Sequence, residues 1–161
     1  MSKNAIKALE TLKLNELAKK YPSIPPHAIP KPKYSDKNAN SLTKCIIDFI
    51  QLNGFQAERV NSMGRQVDRR KTVKDVLGRT RTVGSVEWIK GTSTKGTADI
   101  SATILGISVK IEVKCKATGD NYQSNDQKAY QKKIEQAGGV YLIARDFQGF
   151  FNWFNEFVKP R

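Results

Sequence analysis

The sequence predicts an α/β fold: a central mixed β-sheet with helices packed on it, in the order helix, strand, strand-hairpin, helix, strand, helix. Three observations predict it. Leu42, Cys45, Ile46, Phe49 and Ile50 recur at i, i+3, i+4, i+7 and i+8, the stripe of an amphipathic helix. The run from Thr97 to Lys114 sorts its apolar and polar residues onto opposite faces if the chain turns at Leu105-Gly106. Phe147, Phe150, Phe151, Phe154, Phe157 and Val158 recur at helical spacing near the C-terminus, as core rather than as a stack for ligand.

Taken in order, Met1 to Tyr21 reads as a helix with Ile6, Leu9, Leu12 and Leu17 on an imperfect stripe. Five of the six prolines then fall between Pro22 and Pro32. Proline fixes φ and removes donors, so this stretch reads as a semi-rigid extended linker, with the lone His27 solvated inside it. Residues 1–40 are therefore expected to be a helix and linker, an arm that docks on its own domain or on a partner, and 41–161 the domain proper. Ser41 or Asn40 is the expected N-cap of the Leu42 helix, Gly54 ends it, and Cys45 on its stripe is a small core residue. Asp48 lies off the stripe, in reach of Lys44 at i+4. Phe55 to Val60 is a first strand ending at Asn61-Ser62-Met63-Gly64.

From Arg59 to Lys95 ten cations face Asp68, Asp75 and Glu87, a net +7, with Val73, Val76, Val83, Val86, Trp88 and Ile89 interspersed. Strands or a long flap are expected here: a basic insertion around 63–95, either a solvated surface or the lip of a nucleic-acid channel. Beyond the hairpin, Gly119 marks a loop and Ser124 caps a helix with Gln127, Tyr130, Gln131, Ile134 and Ala137 on its stripe. Gly138-Gly139 stops that helix, and Val140 to Ala144 is a short buried strand.

The 161 residues suffice for a real core, and 39 % hydrophobic residues is a globular composition. No apolar run approaches the ~20 residues of a membrane span, and no secretory h-region is visible. Two cysteines, Cys45 and Cys115, make neither a disulfide scaffold nor a zinc site, which suggests a reducing cytoplasm. The net charge of +13 raises the expectation of a polyanionic partner.

In the hairpin register Ile104/Ile107, Ala102/Val109 and Ile100/Ile111 share one face, and Thr103/Ser108, Ser101/Lys110 and Asp99/Glu112 the other. Lys114, two residues past Glu112, shares the acidic face. An isolated Glu-x-Lys is weak evidence, since such pairs often form surface ion pairs of little value. Opposed acids are different, because like charges so placed destabilise a sheet. A bound divalent cation accounts for them. Mg²⁺ or Mn²⁺ suits two hard carboxylates, with the backbone carbonyl of Val113 as a further ligand. A neighbouring ammonium and a hard cation together suit hydrolysis of a phosphate ester.

These residues resemble a known family. The runs Lys95-Gly96-Thr97-Ala98-Asp99-Ile100, Ile111-Glu112-Val113-Lys114, Ser124-Asn125-Asp126-Gln127 and Ala137-Gly138-Gly139-Val140 are similar to the PD-(D/E)xK nucleases. The likeness is greatest to the virus-type replication-repair nuclease (VRR-NUC) domain, a relative of Holliday junction resolvases. It covers roughly Ser41 to Ala144 apart from the basic stretch. It implies a restriction-endonuclease-like core and a Mg²⁺-dependent endonuclease acting on DNA, with branched or structured DNA of replication, repair or recombination as the expected substrate. By it, Asp99 and Glu112 bind the metal, Lys114 serves the attacking water, and Gln127 supports the lysine or the phosphate. Arg59-Val60-Asn61 also resembles the family's strand beside the active site. Arg59, Arg65, Arg69, Arg70, Arg79, Arg81 and Lys95 are the candidate phosphate contacts. Relatives commonly act as dimers, so a homodimer is expected, in the cytoplasm, on the nucleoid or in an infected host cell.

Two departures stand out. Ala98 replaces the family's proline, and Asn38-Ala39-Asn40-Ser41 stands where the first helix often carries a glutamate, which bears on a second metal. The alternative readings are a non-catalytic nucleic-acid-binding module on the same fold, a restriction-type cutter of linear duplex, or an RNase.

Overall fold

The structure is a computed structural model that describes residues 3–61, 64–91, 94–119 and 121–160. Met1-Ser2 of the expected first helix, and Ser62-Met63 at the expected end of the first strand, lie outside the described residues. In chain order the elements are α1 (Lys3–Lys20), α2 (Ala39–Leu52), β1 (Gln56–Arg59), β2 (Arg65–Asp68), β3 (Lys71–Lys74), β4 (Thr80–Val83) and β5 (Val86–Ile89). Then follow β6 (Ile100–Ile104), β7 (Ile107–Val113), α3 (Asn125–Gln136), β8 (Val140–Ala144) and α4 (Phe147–Phe157). The chain forms two compact units, one of Met1–Val60 with Lys95–Arg161 and one of Asn61–Thr94.

The first unit holds a four-stranded mixed sheet in the order β1-β6-β7-β8, flanked by helices. β6 and β7 form the expected hairpin, with Ile104 opposite Ile107 and Ile100 opposite Ile111. Its two-residue turn needs left-handed backbone at both positions, and Leu105 (φ 52°) and Gly106 (φ 79°) supply it. β8 runs parallel to β7, which requires the α3 crossover between them.

The apolar face of the hairpin packs on α2; α4 lies against α2 and β8, and α1 against α2 and α4. Ile100, Ala102, Ile104, Val109, Ile111 and Val113 are buried with Leu42, Ile46, Phe49 and Ile50 of α2 and Phe147, Phe150 and Phe154 of α4. The Phe49 ring meets Phe147, Phe150 and Phe154 edge-on at centroid separations of 5.8, 6.2 and 5.1 Å. Such edge-to-face pairs add to the area they bury.

The N-terminal helix docks on this same domain. Ala5 and Leu9 are completely buried, and Ile6 and Leu12 pack at the edge of the core. The proline-rich segment is tied down at its end. The Tyr34 hydroxyl donates to Asp48 at 2.7 Å, so Asp48 faces this segment. The thiols of Cys45 and Cys115 donate to the adjacent carbonyls of Ser35 and Asp36. Burial pushes the Cys45 thiol up to about 11, so it is an inert core group as its place on the stripe suggests. His27 is exposed.

The cap of α2 differs from expectation. Asn38, rather than Asn40 or Ser41, accepts from the Ser41 amide at 2.8 Å, because the helix begins at Ala39, earlier than its apolar stripe. The Ser124 cap of α3, the Val140–Ala144 strand and the phenylalanine helix lie where the pattern places them.

The second unit is a β-ribbon. β2 pairs with β5 and β3 with β4, all antiparallel and all in one register. Arg69-Arg70 and Gly84-Ser85 join the two halves, and the Arg69 amide donates to the Ser85 carbonyl at 3.1 Å.

Candidate functional site

The polar face of the β6–β7 hairpin carries the candidate residues. Strand alternation turns Ile111 and Val113 into the apolar core, and Glu112 and Lys114 to the other side. Glu112 and Lys114 are nevertheless buried, at 3 % and 7 % exposure. Burial of charge is costly unless the charges are paired and hydrogen-bonded. Here Lys114 Nζ lies 3.3 Å from Glu112 Oε1, and Gln127 Nε2 donates to the same oxygen at 2.6 Å.

Gln127 reaches the sheet because of how α3 begins. Ser124 Oγ accepts from the Gln127 amide at 3.2 Å, and Gln127 Oε1 accepts from the Ser124 amide at 2.9 Å. This capping box occupies the side-chain oxygen and leaves the NH₂ end for Glu112. Gly96 lets the start of α3 come this close. Its φ is 75°, and a Cβ built on it would meet the Asp126 carbonyl and lie 2.6 Å from the Gln127 amide nitrogen.

Asp99 sits just before β6, and its carbonyl accepts from the Val60 amide at 2.8 Å, extending the pairing with β1. Its Oδ2 accepts from the Val113 amide at 2.9 Å. Asp99 takes a backbone amide of β7, and Glu112 takes Lys114 and Gln127. The like-charge cost is reduced by these donors as well as by any cation.

A further residue joins this face. Tyr141, opposite Lys110 in the parallel pair, is buried against the Tyr130 ring at a 6.3 Å centroid distance. Desolvation first, and then the Glu112 charge, pushes its hydroxyl up to about 12, with Asp99 contributing in the same direction. The Val140–Ala144 pattern predicts only a strand at Tyr141; two-residue alternation within that strand is the signal that places it off the apolar face. On the helix-covered side of the sheet, Arg59, which lies opposite Ile100, donates from Nη2 to Asn40 Oδ1 at 2.8 Å, putting a neutral amide against the end of β1.

The structure brings Glu112, Lys114 and Gln127 together and anchors Asp99 to the same strand end. Arg59 and Lys95 belong to the same compact unit, whereas Arg65, Arg69, Arg70, Arg79 and Arg81 belong to the ribbon. Arg69 pairs with Glu87 at 2.9 Å and Arg70 with Asp68 at 2.7 Å. Among the described residues no three His, Cys, Asp or Glu side chains gather as a metal cage. No helix of the described residues is long and apolar enough to cross a membrane.

A hard divalent ion such as Mg²⁺ or Mn²⁺ keeps several waters and takes one or two protein carboxylates. Asp99 and Glu112 are the residues that could hold it, with the Val113 carbonyl beside them in the chain. No protein-family model matches the sequence, and no curated protein matches it.

Proposed function

We propose that the protein is a metal-dependent endonuclease of the PD-(D/E)xK type, with a restriction-endonuclease-like core of the VRR-NUC kind, that hydrolyses phosphodiester bonds of branched or structured DNA. One observation carries the reading. A buried Glu112 holds Lys114 and Gln127 on one carboxylate oxygen, and Asp99 is fixed to the backbone between Glu112 and Lys114. A buried ion pair contributes little net stability. Its presence beside a second acid is better explained by chemistry than by folding.

Asp99 and Glu112 would hold Mg²⁺ or Mn²⁺, which when bound supplies positive charge to the phosphoryl oxygens and acidifies water. Glu112 positions the Lys114 ammonium, which orients the attacking water in line with the scissile bond. Gln127 keeps Glu112 from rotating. With Asn38-Ala39-Asn40-Ser41 where the family often has a glutamate, the acids at hand suit one cation rather than two. Arg59, Lys95 and the ribbon arginines would bind backbone phosphates, giving affinity without base readout. A homodimer on a four-way junction belongs to the same proposal.

The test incubates wild-type protein and Lys114→Ala with labelled four-way junction, flap, single-stranded and linear DNA, in Mg²⁺, Mn²⁺ or EDTA. Metal-dependent cutting that leaves 5′-phosphate and 3′-hydroxyl ends, and that falls by about 10²-fold or more in Lys114→Ala, is expected. Binding by wild-type protein without cutting under any metal would replace the nuclease with a binding module. Equal cutting of junction and linear duplex would remove only the structure preference.

A further inference from the structure

The ribbon ends in an unusual tip. Its turn, Asp75 to Arg79, is held by four hydrogen bonds of 2.9 Å: Asp75 Oδ1 accepts from the Leu77 and Arg79 amides, the Asp75 amide donates to the Arg79 carbonyl, and the Gly78 amide donates to the Asp75 carbonyl. Turn tips favour Gly, Asn, Asp and Ser. Here the projecting residues are Val76 and Leu77, exposed at 103 % and 73 %. Lys74 and Arg79 flank this turn, Lys71 and Arg81 lie farther along the same ribbon, and none of the four forms an ion pair among the described residues. An apolar point is thus held rigidly at the end of a cationic two-stranded ribbon.

We propose that this tip is a wedge. The ribbon lies in a groove of duplex DNA, and Val76 and Leu77 enter between base pairs and unstack them. The cations supply the attraction to phosphates. The major groove of B-form DNA admits a two-stranded ribbon, whereas that of A-form RNA is too deep and narrow. Apolar side chains inserted at a base step are an established way to open or kink a duplex, and the unstacking is offset by contacts that the bend allows. The inference concerns binding, so it stands or falls separately from hydrolysis at Asp99, Glu112 and Lys114.

The experiment uses the full chain in EDTA, where no metal-dependent cutting can interfere. The probe is a DNA duplex with a fluorescent purine analogue that brightens when unstacked. Wild-type protein is expected to bind and to raise the fluorescence. Val76→Ser/Leu77→Ser should bind within about tenfold of wild type yet give no rise, since the phosphate contacts remain. Arg79→Ala/Arg81→Ala should lower the slope of log Kd against log salt by about 2. A rise that persists in Val76→Ser/Leu77→Ser, or no rise with saturating wild-type protein, overturns the wedge. Tip-dependent binding to phosphatidylserine vesicles without binding to DNA overturns it in favour of a membrane surface. All four positions are exposed, and matching thermal melts will confirm that the variants are folded.

Discussion

Gln127 donates to Glu112 Oε1 at 2.6 Å while its own side-chain oxygen is held by the Ser124 amide at 2.9 Å. One side chain therefore caps a helix and orients a buried acid. In Gln127→Ala the acid loses a partner and keeps Lys114. Groups that orient a ligating carboxylate are typically worth 10–100-fold, so cleavage should fall by about that factor with DNA binding in EDTA unchanged. Single-turnover cleavage beside a binding titration checks this. An equal loss of binding would make Gln127 a direct DNA contact. Ser124→Ala should cost about 1 kcal/mol of stability and little activity, because the Gln127 backbone amide loses its cap while the Ser124 backbone amide still holds the Gln127 side chain.

Gly96 and Gly119 share a φ of 75°, yet only Gly96 abuts backbone. Gly119→Ala should cost about 1 kcal/mol, the price of left-handed backbone at a residue with a Cβ. Gly96→Ala adds a clash with Asp126 and Gln127 and should cost about 3 kcal/mol or shift the start of α3. Urea denaturation of both variants distinguishes them. Equal losses would mean that α3 yields freely.

The Tyr141 hydroxyl is raised to about 12 by burial and then by Glu112. The folded state therefore holds this proton more tightly than the unfolded chain, whose tyrosines ionise near 10. Its contribution is fully present below about pH 10 and is lost as pH rises through about 12. Tyr34 is raised as well, by burial and by its bond to Asp48. Absorbance titration should show late-ionising tyrosines, one fewer in Tyr141→Phe, and the variant should lose less stability between pH 10 and 12. A Tyr141 that titrates normally would place its hydroxyl in water.

Leu105 occupies a left-handed conformation (φ 52°) with its side chain exposed. Asparagine tolerates that region and is favoured before glycine in two-residue hairpin turns. Leu105→Asn should stabilise the protein by about 0.5–1 kcal/mol, read as a higher urea midpoint. A loss of stability would show that Leu105 packs on something in solution.

Local pattern explains most of what was legible in the sequence. Two-residue alternation on both sides of Leu105-Gly106 sets the hairpin register, because any slip would turn Ile100 and Ile111 to the polar face. Helical spacing likewise marks α2 and α4, and the Ser124 cap marks α3. Lys114 shares a face with Glu112 for the same reason that Val113 does not.

Which way each residue faces follows from periodicity, a local property of the chain. What those faces meet is set by the closed fold. It docks Ala5 and Leu9 into the core, turns Asp48 to Tyr34, and brings Tyr141 beside Glu112. It also sets the Val113 amide on Asp99, and Lys114 and Gln127 on Glu112. Those outcomes depend on segments distant in sequence closing against one another, and spacing along a strand carries no record of that closure.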